Sequence, residues 1–190
     1  MSYVCDSMTS QKIIDNAIAV LNEDFYAPLD MIAEKAGVNR RTLHRYFKDR
    51  TALIEACWTD MMQTWHHAML KAYNSSEDPV EQLEKMLYAG IDCGVKYAFL
   101  NTLQTKYLNN EKQKIAENNV YEQAKNNWFN LVPELLRQKV ISDSLSVAWI
   151  RMLFVNMINT TIKALQSGDV APNDIKKFAW YSFSRSIGLQ

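Results

Sequence analysis

Residues Pro28 to Lys48 read PLDMIAEKAGVNRRTLHRYFK, and this stretch decides the fold. It predicts two short helices, one from Pro28 to Lys35 and one from Asn39 to Phe47, with Gly37 between them. Proline suits the first helical position, where a missing N–H costs nothing. Glycine reaches the left-handed backbone conformation that a tight turn needs. Ala33 is small where the two helices would cross. Ile32, Val38, Leu43 and Phe47 are apolar at positions that would face a small core shared with a preceding helix. Two helices joined by a Gly-centred turn form the helix-turn-helix pattern.

The other positions of the second helix are Arg40, Arg41, Thr42, His44, Arg45 and Tyr46, all polar, basic or aromatic. Residues 39–50 hold Arg40, Arg41, Arg45, Lys48 and Arg50 against Asp49, a local charge of +4. The whole chain, with 21 basic and 21 acidic residues, has none. Neutrality excludes a uniformly basic nucleic-acid coat and leaves this patch as the place for phosphate contacts. Arginine also reads guanine edges bidentately in the major groove, which admits a helix.

Outward from this segment almost everything reads as helix. Ile14, Ala17, Ile18 and Leu21 recur at helical spacing after Ser10, a candidate cap. A longer helix starts near Asp49 and carries Leu53, Ile54, Cys57, Trp58, Met61 and Trp65. Residues 74–79 read as a linker. Leu83, Leu87, Ile91 and Gly94 mark a helix to about Leu103, and Tyr121, Ala124, Trp128, Leu131 and Leu135 mark another from about Lys112 to Val140. Ser142, Asp143 and Ser144 are expected to cap the next, which carries Leu145, Trp149, Leu153, Met157 and Ile162 and ends at Gly168. Asn173 is expected to begin the last helix. No window alternates with period two, and 5 glycines with 4 prolines are few for the many turns of a sheet protein. The expected fold is all-α: a three-helix helix-turn-helix domain over 1–48, then 49–190, with 49–72 as a connecting helix into a C-terminal bundle.

The enzyme classes find little support. HExxH, P-loop, GxGxxG and GxSxG motifs are missing from the sequence. Its 3 histidines are His44, His66 and His67, and adjacent histidines diverge by about 100° around a helix. Glu111, Glu117 and Glu122 lack the histidine partners of a di-iron bundle. No catalytic residue, metal or cofactor is expected. Cys5, Cys57 and Cys93 are scattered and form no CxxC pair, which suits a reduced compartment. Neither a signal peptide nor a membrane span is expected, and the cytoplasm is the expected location. Asp92, in an apolar stripe, reads as a surface carboxylate or a contact for a cationic ligand.

The segment resembles the TetR family of bacterial transcriptional regulators. The resemblance lies in Ile32-Ala33, Ala36-Gly37-Val38-Asn39, Thr42-Leu43-His44-Arg45-Tyr46-Phe47, Lys48 and Leu53, and covers roughly Ser10 to Trp58. It implies an N-terminal domain that binds double-stranded operator DNA and a C-terminal domain that dimerises and binds a small molecule. Arg40, Arg41 and Thr42 match positions that approach bases. His44 stands where Tyr is usual, Tyr46 matches a phosphate-contacting ring, and Lys48 matches a phosphate-binding lysine. Arg45 belongs to the same exposed helix. Pro28 removes the usual hydroxyl at the start of the first of these two helices, and Asp30 would repel a phosphate. Tyr97, Tyr121, Trp128, Trp149 and Met152 are the candidate lining of a ligand pocket. The homodimer is expected through the last two helices, with Trp149, Leu153, Met157, Thr161 and Leu165 on one and Phe178, Ser182, Arg185 and Ile187 on the other. Ala179, Ser182 and Ser186 would allow close approach. Two-fold pairing predicts a near-palindromic operator. The implied function is a homodimeric repressor released by a small-molecule effector. The alternative is a helical protein-interaction module whose helix-turn-helix does not read DNA.

Overall fold

The computed structural model describes residues 2–94, 96, 98 and 130–189. Helices account for its regular structure, and the described residues contain no strand. They are α1 (Ser2–Glu23), α2 (Leu29–Lys35), α3 (Arg40–Tyr46), α4 (Arg50–Tyr73), α5 (Pro79–Asp92), a helical segment over 130–137, α6 (Val147–Ser167) and α7 (Pro172–Ser186). The chain divides into two compact units. Of the described residues, 2–63 with 96 and 98 belong to the first, and 64–94 with 130–189 to the second. The division falls within α4, between Gln63 and Thr64.

The first unit is built around the Gly37 turn. Gly37 has φ +65. Its N–H reaches the Glu34 carbonyl at 2.9 Å, and the Val38 N–H reaches Ala33 at 2.9 Å. This paired arrangement ends α2 as a Schellman motif. It then delivers Asn39, whose side chain accepts from the Thr42 N–H at 2.8 Å and starts α3. The core beneath joins Ile14, Ala17, Ile18 and Leu21 of α1 to Ile32 and Ala33 of α2, Leu43 of α3, Phe47 and the first half of α4. Leu53, Ile54 and Cys57 lie in that same core, so it continues past residue 48.

In the second unit, α5 turns Leu83, Met86, Leu87 and Ile91 inward. Gly90 permits the close approach of α5 to α6: a Cβ there would stand 2.5 Å from the Ile158 Cδ1. Phe154 of α6 meets Phe183 of α7 edge to face, with centroids 5.6 Å apart. This geometry favours the ring quadrupoles. The buried polar Thr161 is satisfied by donating to the Ile158 carbonyl at 2.7 Å.

Several element boundaries differ from expectation. Ser10 lies inside α1, because residues 2–9 contain no glycine or proline to stop the helix earlier. Pro28 caps α2 from outside, with φ −67 and ψ 153, instead of opening it. Residues 142–144 do not cap α6. Ser142 is engaged with the chain end, its N–H donating to Ile187 at 2.9 Å, and Ser146 caps instead through the Trp149 N–H. The inward row of α6 is Ile150, Phe154, Ile158 and Thr161, one residue on from the row Trp149, Leu153 and Met157 expected at the dimer interface, and Thr161 of that interface set turns inward. α7 starts at Pro172, the favoured first-turn residue, one position before Asn173. α5 ends at Asp92 with Cys93 as its cap, and the helical run before Val140 stops at 137. Gly168 ends α6 in the left-handed conformation, φ 73.

Candidate nucleic-acid interface

On α3, alternation between core and solvent is set by helical spacing. Leu43 and the following Phe47 are buried, at 0% and 7% exposure. Arg40, Arg41, His44, Arg45 and Lys48 are exposed, and Thr42 and Tyr46 are half-buried. Seven residues make too short a helix to be stable alone. The Asn39 cap below it and the Leu43 anchor within it therefore hold the polar face in place.

The exposed side chains are not equally free. Arg40 Nη1 donates to Asp30 Oδ2 at 3.1 Å, across the turn from α2. Arg45 donates through Nη2 to the Tyr46 hydroxyl at 3.1 Å and lies over the Tyr46 ring, 5.0 Å from its centroid. This cation–π contact orients the guanidinium. His44 Nδ1 lies 3.4 Å from the Lys48 carbonyl. Lys48 itself is 83% exposed, with Asp49 at 4.0 Å. Asp49 also accepts from the Ala52 N–H at 2.8 Å and so starts α4.

Arg50 departs from the expected patch. It is half-buried and points inward, donating to the Ala27 carbonyl at 2.6 Å and to the Phe25 carbonyl. Its guanidinium also lies over the Phe25 ring, 5.9 Å from the centroid. It fixes the α1–α2 connection instead of facing solvent. The exposed basic set near α3 is therefore Arg40, Arg41, Arg45 and Lys48. These groups can take phosphate oxygens as charges, and the arginines can also pair two donors with a guanine edge.

A second polar cluster in the first unit was not legible in the sequence. Lys96 reaches Asp60 at 2.6 Å and Asp15 at 3.4 Å. Gln11 donates to Asp60 at 2.8 Å and to Asp15 at 3.2 Å. Burial alone would lower the Lys96 pKa. The hydrogen bond and charge of Asp60, joined by Asp15, outweigh it and hold the ammonium above the usual lysine range. Cys57 lies fully buried nearby, and burial, reinforced by Asp60 and Asp15, pushes its thiol up to about 12.

Of the candidate ligand-lining residues, Tyr97, Tyr121 and Trp128 lie outside the described residues. Trp149 and Met152 are on α6, each 51% exposed. Leu165 of α6 and Phe178 and Tyr181 of α7 are exposed too. Ser182 and Arg185 are exposed, whereas Ala179 and Ile187 are buried within the unit and Thr161 faces its interior. Leu153 and Met157 are half-buried. Asp92 is an exposed carboxylate paired with Lys176 at 2.7 Å, which settles it as a surface group. Among the described residues no three His, Cys, Asp or Glu side chains gather as a metal site requires, and no helix is long and apolar enough to cross a membrane.

Residues 13–57 match the family model of bacterial regulatory proteins, tetR family. The transcriptional repressor LfrR of Mycolicibacterium smegmatis is 33% identical over 86 residues, which are 45% of this chain and 46% of the repressor. The matched stretch thus spans about half of that relative's length. The crystal structure of the TetR-like regulator LfrR from Mycobacterium smegmatis in complex with proflavine superposes with a TM-score of 0.65. That likeness has 23% identity and covers 94% of this chain and 96% of the other. A TetR family regulator from Marinobacter aquaeolei reaches a TM-score of 0.70 at 14% identity, with both chains covered completely, 100% and 100%. The structural likenesses speak for the fold, and the match over 13–57 speaks for the helix-turn-helix.

Proposed function

We propose that this chain, whose residues 13–57 match the family model of bacterial regulatory proteins, tetR family, is a member of that family and represses transcription by binding a specific operator as a homodimer. One observation carries the reading: α3 buries Leu43 and presents Arg40, Arg41, His44 and Arg45 to solvent together, with Lys48 exposed just past its end. In this assignment α3 enters the major groove. Arg40, Arg41 and Thr42 approach base edges, and His44, Arg45, Tyr46 and Lys48 meet phosphates. DNA reading is assigned to residues 1–48 and effector binding and dimerisation to residues 49–190, with 49–72 connecting the two and lending Leu53, Ile54 and Cys57 to the core under the reading helix. A regulator of genomic DNA works in the cytoplasm.

The dimer forms through α6 and α7, where Trp149, Met152, Leu165, Phe178 and Tyr181 leave a concentration of exposed apolar surface. Surface of this kind is what an interface covers. Two-fold symmetry then places two α3 helices roughly 34–36 Å apart on a near-palindromic site. A small molecule bound in the C-terminal domain, near Tyr97, Tyr121 and Trp128, shifts α4 and releases the operator, while Trp149 and Met152, the other two candidates for its lining, go to the dimer face because each is half exposed on α6. That LfrR is known in complex with proflavine supports a small-molecule effector as the kind of ligand.

The test is Arg40→Ala combined with Arg41→Ala in the full-length protein. Loss of operator discrimination at an unchanged melting temperature is expected, since both side chains are exposed. Unchanged affinity for the operator would assign the helix-turn-helix to protein contacts instead.

A further inference from the structure

Arg40 and Arg41 are adjacent, share one chemistry and stand in different surroundings. Arg40 donates from Nη1 to Asp30 Oδ2 at 3.1 Å. The Arg41 side chain makes no hydrogen bond or ion pair among the described residues. Asp30 lies in the first turn of α2, and the turn at Gly37 brings it beside the first residue of α3. The geometry points to Asp30 as a positioning residue that holds Arg40 for a base edge, and so as a determinant of operator specificity. This assignment rests on the base-reading role given to Arg40 above.

Three physical arguments lead there. First, the pair does little for the fold. Its side chains are 67% and 59% exposed, and exposed ion pairs contribute little to stability. Second, Asp30 works against affinity as such. A carboxylate beside the exposed basic set cancels one of its charges and repels phosphate, so a surface built for charge-driven binding would omit it. Third, the cost and the benefit fall on different DNA sequences. Repulsion weakens binding to every duplex alike. Holding a long, flexible arginine in one direction lowers the ordering cost only where the matching base stands. A guanidinium has five N–H donors, and the single bond to Asp30 leaves enough for bidentate contact with guanine O6 and N7. Arg41, unsupported, suits a less directional base contact.

The experiment is selection of duplexes from a random library by full-length wild type, Asp30→Asn, Asp30→Glu and Arg40→Ala, with melting temperatures measured alongside. Arg40→Ala is expected to lose a guanine position that the wild type selects. Asp30→Asn is expected to lose discrimination at that same position, by about three- to tenfold, while the other positions stay fixed. Its binding to scrambled duplex is expected to be equal or higher, and Asp30→Glu is expected to restore part of the preference. An Asp30→Asn motif identical to the wild type's would overturn the proposal. So would a new selected position in Asp30→Asn, because Asp30 would then be holding Arg40 away from the bases. A lower melting temperature with loss at every position would assign Asp30 to the fold and overturn it equally. An Arg40→Ala motif identical to the wild type's would remove Arg40 as a base reader. A wild type that selects no motif at all would instead bring down the DNA-reading assignment itself.

Discussion

Gly37 carries the turn on which the reading face depends. At φ +65 an alanine would be strained whatever the space around it, and its Cβ would meet only the movable Lys12 Nζ at 3.3 Å. Strain therefore dominates, and Gly37→Ala is expected to cost about 1–2 kcal/mol in urea denaturation. Cys57 makes a second residue-scale prediction. At pH 8 a free thiol is roughly one-quarter ionised, whereas a thiol at about 12 is roughly one ten-thousandth thiolate. Cys57 is expected to stay unlabelled by iodoacetamide in the native protein and to react once urea unfolds it, as read by peptide mass mapping. Rapid native labelling would contradict its burial. The roles of Gly37, Leu43 and Phe47 were legible in the sequence because each follows from local spacing. Those of Arg50 and Asp30 were not. Both carry the charge of a surface residue, and their partners stand 23–25 and 10 residues away, where no periodicity points.

Among the elements, α2 and α3 came from the sequence nearly whole, since each has an apolar row and a clear breaker or cap, whereas α1 came with its apolar row but starts at Ser2, ahead of the expected cap Ser10. The row that α6 buries did not. Trp149-Leu153-Met157 and Ile150-Phe154-Ile158 are equally apolar, and only the neighbours, α7 and Gly90 of α5, decide which turns inward. The tie of α1 to α4 through Lys96 was hidden for the same reason: a single lysine joins two carboxylates far away in the chain. Lys96 and Asp60 are 27% and 16% exposed, so solvent screens this pair less than an ordinary surface pair. Lys96→Met would leave Asp60 without its cation, and a loss of about 1–2 kcal/mol at neutral pH is expected in chemical denaturation. The folded lysine titrates above its unfolded value of about 10.4. Its contribution is therefore full below about pH 10.4 and is lost as pH rises through the folded value. The gap between wild type and variant should stay level from about pH 6 to about pH 9 and close at higher pH. A gap that changes with pH inside that interval would mean another group is involved.

For the whole molecule the central matter is assembly on DNA. The exposed apolar side chains of α6 and α7 belong to a face that the account covers with a second copy. Trp149→Glu combined with Met152→Glu is expected to give a monomer in light scattering, with helical content kept in circular dichroism. A dimer of undiminished stability would move the interface elsewhere. The all-α fold and the position of α3 after the Gly37 turn were legible in the sequence, because both rest on local pattern. The bundle that would hold an effector was not, because aromatic and methionine stripes mark core, interface and pocket alike.

The most direct test of the central claim is fluorescence anisotropy of the full-length protein on the duplex from upstream of its own gene, in competition with a scrambled duplex, at two salt concentrations. The expected result is tight binding that the scrambled competitor fails to displace and that weakens as salt rises. Weak binding, equal for both duplexes, would leave only charge attraction and would contradict a sequence-reading regulator.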